Sequence, residues 1–155
     1  PLYAGQGAVL GWLRVQPENE VDLAGTVQWI RPAGPLPKLY TNGFNLASAA
    51  VGSAYTPAVG SLFDTNFAWV IFSGGDLETP SANPVNLVAG GRVTNAGTNT
   101  LALAVAPATG LFKGTVKVPE VLKPIRYQGA VLRGAGFGGG SFSGTNQIGR
   151  VIFGP

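Results

Sequence analysis

Glycine and proline punctuate this chain from end to end. The 155 residues include 24 Gly and 12 Pro, spread between short apolar runs instead of being gathered into one linker. Each such residue weakens or breaks a helix interior, and the segments left between them are too short to hold a helix by propensity alone. They have the length and composition of strands separated by turns. Within them the period is two: Val9, Gly11, Leu13 and Val15 share one side of the first segment, as Phe112, Gly114, Val116 and Val118 do in a later one. Further strands are predicted over 24–30, 67–72, 85–88, 100–105, 126–133, 140–143 and 149–153. The Ala-rich stretch 45–51 reads as a short helical turn or a loop. A single all-β domain over 1–155 is expected, an antiparallel barrel or sandwich long enough to bury its own core.

Self-comparison adds an internal pseudo-repeat, 7–31 and 110–133. The run from Gly7 to Val15 aligns with that from Gly110 to Val118 at a constant offset of 103, and Leu23-Ala24-Gly25-Thr26-Val27 aligns with Tyr127-Gln128-Gly129-Ala130-Val131 at 104. Each copy reads as a strand, a Pro-Glu loop (Pro17-Glu18, Pro119-Glu120) and a returning strand, so the fold is expected to use one β-hairpin design twice. Glycines inside those strands mark bulges or close backbone crossings. At the same offset, the counterpart of strand 100–105 falls upstream of Leu2, which suggests a chain cut from a longer one. The first hairpin is therefore expected to lack an edge partner and to take a strand from elsewhere, a neighbouring subunit being favoured.

What is missing from the composition removes much chemistry. Cysteine, methionine and histidine are all absent, which excludes disulfides, thiolate or imidazole metal sites and any triad with an imidazole base. A chain without them offers little to oxidants, which suits an extracellular setting. Charged residues are 11%, against roughly 25% in an ordinary soluble domain. Net charge is +3, but the cations are dispersed along the sequence and make no dense run for nucleic acid or an anionic membrane, so the basicity reads as solvation. No apolar run is long enough to span a bilayer as a helix.

Few constellations remain. Asp76 and Glu78 are the one carboxylate pair that alternation places on one face beside a turn, an arrangement that suits acid–base work, a weak calcium site or a solvated edge strand. Glu18, Glu20 and Asp22 read as a solvated hairpin tip. The cluster 134–140 has the glycines of a phosphate loop but neither the following Lys-Ser/Thr nor a helix, so it reads as a turn. No Lys–Asn–carboxylate trio stands out for a side-chain cross-link. Aromatic rings are the better lead. Trp12, Trp29 and Trp69, with Tyr3, Tyr40, Tyr55 and Tyr127, would stack on sugar faces if several lined one exposed strip, and would otherwise pack the core. No catalytic residue, cofactor or metal ligand is expected.

Several of these segments carry a family likeness. Pro1-Leu2-Tyr3 with Gly7, the run from Leu23 to Pro32, Tyr40-Thr41-Asn42-Gly43-Phe44, the run from Thr109 to Gly114, the run from Tyr127 to Leu132, and 138–144 with Phe142 together span nearly the whole chain. The chain resembles the closing, C-terminal β-rich module of large secreted, repeat-rich bacterial surface proteins. That resemblance implies an extracellular or cell-surface location and no catalytic residues. The expected function is a non-enzymatic structural subunit or module of an extracellular assembly, a fibre or surface layer, because low charge suits surface that neighbours bury. Its partners would be copies of itself or other surface-protein domains. The alternative is a module that binds polysaccharide or another surface ligand through exposed aromatics, with neither nucleic acid nor a membrane span involved.

Overall fold

The computed structural model describes residues 2–16, 22–34, 39–57, 62–119 and 121–155, and it is all-β. Its strands are β1 (Ala8–Val15), β2 (Leu23–Arg31), β3 (Phe44–Gly52), β4 (Phe67–Gly74), β5 (Ser81–Val88), β6 (Arg92–Asn95), β7 (Thr100–Val105), β8 (Leu111–Lys117), β9 (Ile125–Leu132), β10 (Phe137–Ser143) and β11 (Ile148–Gly154). The chain divides into two compact units, residues 1–54 and 55–155. The first holds a three-stranded antiparallel meander, β1-β2-β3; the second holds an eight-stranded antiparallel sheet in the order β6-β5-β4-β11-β10-β9-β8-β7.

The larger unit is an up-and-down barrel. Consecutive strands pair from β4 to β6 and from β7 to β11, and β11 returns to β4, Val151 opposite Phe72. Only between β6 and β7 does the ladder lapse, so the barrel is nearly closed. Alternation decides what fills it: Ala68, Val70 and Phe72 of β4, Phe112 and Val116 of β8, Tyr127 and Val131 of β9, and Val151 and Phe153 of β11 all point inward and are buried. Rings meet edge to face at the centre, Phe72 with Tyr127 at 4.9 Å between centroids and Phe112 with Phe153 at 5.7 Å. Lys113, Arg126 and Arg150 are exposed on the outer wall. Phe67, Trp69 and Ile71 of β4 are exposed on the same outer wall.

One glycine in this wall is dictated by its neighbour. Gly114 lies directly opposite Tyr127 in the β8–β9 ladder, and a Cβ there would sit 2.6 Å from the Tyr127 hydroxyl oxygen and 2.0 Å from the Ala102 carbonyl oxygen. The missing side chain is the space through which Tyr127 Oη donates to Ala102 O at 3.0 Å.

Both hairpins of the pseudo-repeat form, but in different sheets: β1–β2 in the small unit and β8–β9 in the barrel. Their registers differ too. Gly11 faces Val27, whose counterpart is Val131, whereas Gly114 faces Tyr127, four residues earlier. The Ala-rich stretch 45–51, expected as a helical turn or loop, is strand β3, paired with β2 from Phe44 opposite Arg31 to Gly52 opposite Leu23. Nine residues are too few for alanine propensity to outweigh a full ladder of interstrand bonds. Leu2–Gly5 forms a 3-10 turn, not a strand.

Candidate functional surfaces

In the three-stranded unit, β2 is central and β1 is an edge. The backbone N–H of Gln16 donates to the carbonyl of Asp22 at 2.7 Å, which fixes the phase of the β1–β2 ladder. Even-numbered residues of β1 point their backbone groups at β2, so Val9, Gly11, Leu13 and Val15 point theirs outward. Among the described residues nothing pairs with that outer row. In the barrel hairpin, β7 pairs with β8 on the side away from β9, but there Leu111, Lys113, Thr115 and Lys117 point their backbone groups at β7, the phase fixed by Ala106 N donating to Leu111 O at 2.8 Å, whereas the aligned positions Phe112, Gly114 and Val116 point theirs at β9. Among the described residues the outer edge of β1 is unpaired, which agrees with the expectation that the first hairpin lacks an edge partner.

The side chains along this edge are also uncovered. Seven of the eight residues of β1 are exposed, and Trp12 retains 92% of its accessible surface. Leu10 and Trp12 lie on one face of the sheet, Val9, Leu13 and Val15 on the other, and all are exposed. The single charge in β1 is Arg14, and the strand has neither proline nor lysine to discourage pairing. Asp22, expected at a solvated tip, accepts a hydrogen bond through Oδ2 from the Ala54 backbone N–H and so ties the β1–β2 loop to the exit of β3. Glu18, Glu20 and Glu120 lie outside the described residues, as does the side chain of Tyr3.

Trp12 and Trp29 do not share a face. Trp12 stands opposite Thr26 and Trp29 opposite Val9, which puts the two indoles on opposite faces of the small sheet. Trp29 is half-buried, packs edge-on against Phe44 at 5.6 Å, and its Nε1 is buried without a hydrogen-bond partner among the described residues. Trp69 belongs to the barrel unit, on the outer wall of β4, where it meets Phe67 edge to face at 5.5 Å and is 39% exposed. Of the tyrosines, Tyr127 is in the core, where burial raises its phenol pKa, and Tyr55 donates to the Pro107 carbonyl at 2.9 Å.

Asp76 and Asp64, like Asp22, are fastening groups. Gly74, Gly75 and Asp76 are consecutive left-handed residues with φ of 67°, 63° and 68°, and this sharp turn aims the Asp76 carboxylate at the β10–β11 turn. There Asp76 Oδ2 accepts from the backbone N–H groups of Thr145 at 2.7 Å and Asn146 at 2.9 Å. Donation from Asn146, reinforced by Thr145 and Gln147, lowers the Asp76 pKa below the usual carboxylate value. Asp64 pairs with Arg133, Oδ1 to Nη2 at 3.6 Å. No group of three acidic residues capable of holding a metal occurs among the described residues. The glycine-rich stretch 134–140 is the β9–β10 turn and the start of β10, with Ala135 N donating to Leu132 O at 3.0 Å.

What sequence spacing hid is the gathering of cations. Lys113, Lys117, Arg126 and Arg150 form no run in the sequence, yet β8, β9 and β11 bring all four to the outer wall of the barrel. Their signal in the sequence is a phase: each sits at an outward position of its strand. No family model, curated protein or solved structure matches the chain.

Proposed function

We propose that the chain is a non-enzymatic structural module of an extracellular bacterial assembly, and that the edge of β1 is where it joins a neighbour. The observation that carries this reading is the open ladder at Val9, Gly11, Leu13 and Val15, flanked on both faces by exposed apolar side chains. A three-stranded sheet with so much uncovered apolar surface gains most by adding a strand. The barrel shows what an added strand looks like: β8 carries β7 antiparallel on the side away from its hairpin partner β9. A strand from a second copy meets that need and lets the low-charge surface continue from subunit to subunit. The fibre or layer, the extracellular location and the use of one hairpin design twice belong to this reading.

Sedimentation velocity across nanomolar to micromolar concentration, followed by electron microscopy, tests it. Ordered multimers are expected from the wild-type chain. Leu13→Pro should remain monomeric, because it removes an outward N–H without costing a β1–β2 bond. A wild-type chain that stays monomeric, or a Leu13→Pro variant that assembles as well, would overturn the reading. The second reading, glycan binding through aromatics, is narrowed to Trp12 alone on β1 and to the Phe67–Trp69 pair on β4. It would be favoured by a monomer whose binding to neutral glycans is lost in Trp69→Ala or Trp12→Ala.

A further inference from the structure

The outer wall formed by β7 to β11 presents four cations that nothing among the described residues neutralises. Register places Lys113 of β8 opposite Gln128 of β9, Gln128 opposite Ser141 of β10, and Ser141 opposite Arg150 of β11, in one row across four strands. Arg126 stands two residues from Gln128 on the same side, opposite Thr115, and Lys117 lies at the far end of β8, opposite Thr100. With strands about 4.8 Å apart and alternate residues about 7 Å apart, neighbouring cations are roughly 7–14 Å from one another. Among the described residues, Lys113, Lys117, Arg126 and Arg150 have no ion-pair or hydrogen-bond partner, and the barrel's Asp64 and Asp76 are engaged elsewhere.

The ground between the cations is low, with alanine methyls on the β7 side and amide and hydroxyl groups along the row. Ala102 faces Thr115 and Ala104 faces Lys113, so an open cleft of about 520 Å³ runs beside Lys113, Thr115, Arg126 and Gln128. A second, smaller cleft continues past Gln128 to Ser141 and Ser143. Amide and hydroxyl groups thus alternate with cations along an extended track, with no aromatic ring in these rows.

The geometry points to an extended acidic polysaccharide as the ligand of this wall. Lys113, Lys117, Arg126 and Arg150 would meet its carboxylate or sulfate groups, and Gln128, Ser141 and Thr115 its hydroxyls. Nucleic acid fits less well on two grounds. Its charges lie about 3.4 Å apart along a strand, far denser than the cations, and the wall offers unstacked bases no ring to lie on. This surface does not depend on assembly through β1, and it differs from the aromatic sites of the alternative reading.

The test is affinity electrophoresis and calorimetry of the full chain with polygalacturonate and with heparin, using neutral dextran and single- and double-stranded DNA as comparisons. Binding to at least one acidic polysaccharide, weakening as salt rises, is expected, and the two polymers separate carboxylate from sulfate preference. Lys113→Gln/Arg126→Gln/Arg150→Gln should weaken it about tenfold, whereas Arg14→Gln/Arg92→Gln, which removes charge on β1 and β6, should leave it nearly intact. All these positions are exposed, and an unchanged circular dichroism melt confirms folding. Four results would each overturn the assignment: no polysaccharide binding, equal binding to dextran, tighter binding to DNA at matched charge, or equal losses in the two variants.

Discussion

Asn99 donates through Nδ2 to Oδ1 of Asn83 at 2.8 Å, joining the β6–β7 turn to the interior of the barrel at the one seam where the ladder lapses. Asn83 is 1% exposed on β5, and its own Nδ2 reaches Ser81 Oγ at 3.4 Å. Asn95 fastens the same turn by donating to the Asn99 carbonyl at 2.7 Å. Side-chain amides therefore close the barrel where backbone pairing stops.

Asn99→Ala should destabilise the chain by about 1–3 kcal/mol, because it strands a buried carbonyl oxygen. Asn83→Ala removes that oxygen as well as the bond. The double variant should then cost less than the sum of the two single ones, a coupling that denaturant unfolding can measure. Additive losses would show that the two amides act independently.

Asp76 should make stability acid-sensitive. Its folded pKa is depressed by backbone donors of the β10–β11 turn, so its contribution is present above the unfolded value of about 3.9 and is lost as pH falls through the folded one. Asp76→Asn keeps an acceptor and tolerates the left-handed backbone, so it should flatten the melting temperature between about pH 5 and pH 2 relative to wild type. A parallel decline in both proteins would remove Asp76 as the source.

Gly114 and Tyr127 make a matched pair in the barrel wall. Tyr127→Phe should cost about 1 kcal/mol, the net value of one hydrogen bond, while Gly114→Ala should cost about 1–3 kcal/mol through forced repacking. Burial raises the Tyr127 pKa, so the unfolded chain releases that proton first and stability should fall as pH rises above about 10. Ultraviolet titration should find one phenol that ionises only on unfolding.

The barrel strands were legible wherever alternation ran unbroken: 100–105 was read with the limits it has in the structure, and 67–72 lacked only two residues. Reading failed where local chemistry masks the ladder. Pro84 hid the first half of β5, Gly138 and Gly139 the start of β10, and alanine made β3 look helical. Four-residue β6 was missed altogether. An unpaired edge at β1 was expected from the strand unmatched upstream of the first hairpin; that the two hairpins lie in different sheets and registers was not legible. Nor was the basic wall, since it exists only once register sets Lys113, Gln128, Ser141 and Arg150 side by side. Strand phase also sets the tryptophans: Trp12 and Trp29 occupy opposite faces of one sheet.

Residue-resolved hydrogen exchange across a concentration series tests the edge of β1 most directly. At low concentration the amides of Leu10, Trp12 and Arg14 should be protected by β2, while those of Val9, Gly11, Leu13 and Val15 exchange freely. As the chain assembles, the second set should become protected and the first should change little. Assembly that leaves Val9, Gly11, Leu13 and Val15 exchanging freely, or full protection of those amides in the monomer, would contradict strand addition at β1.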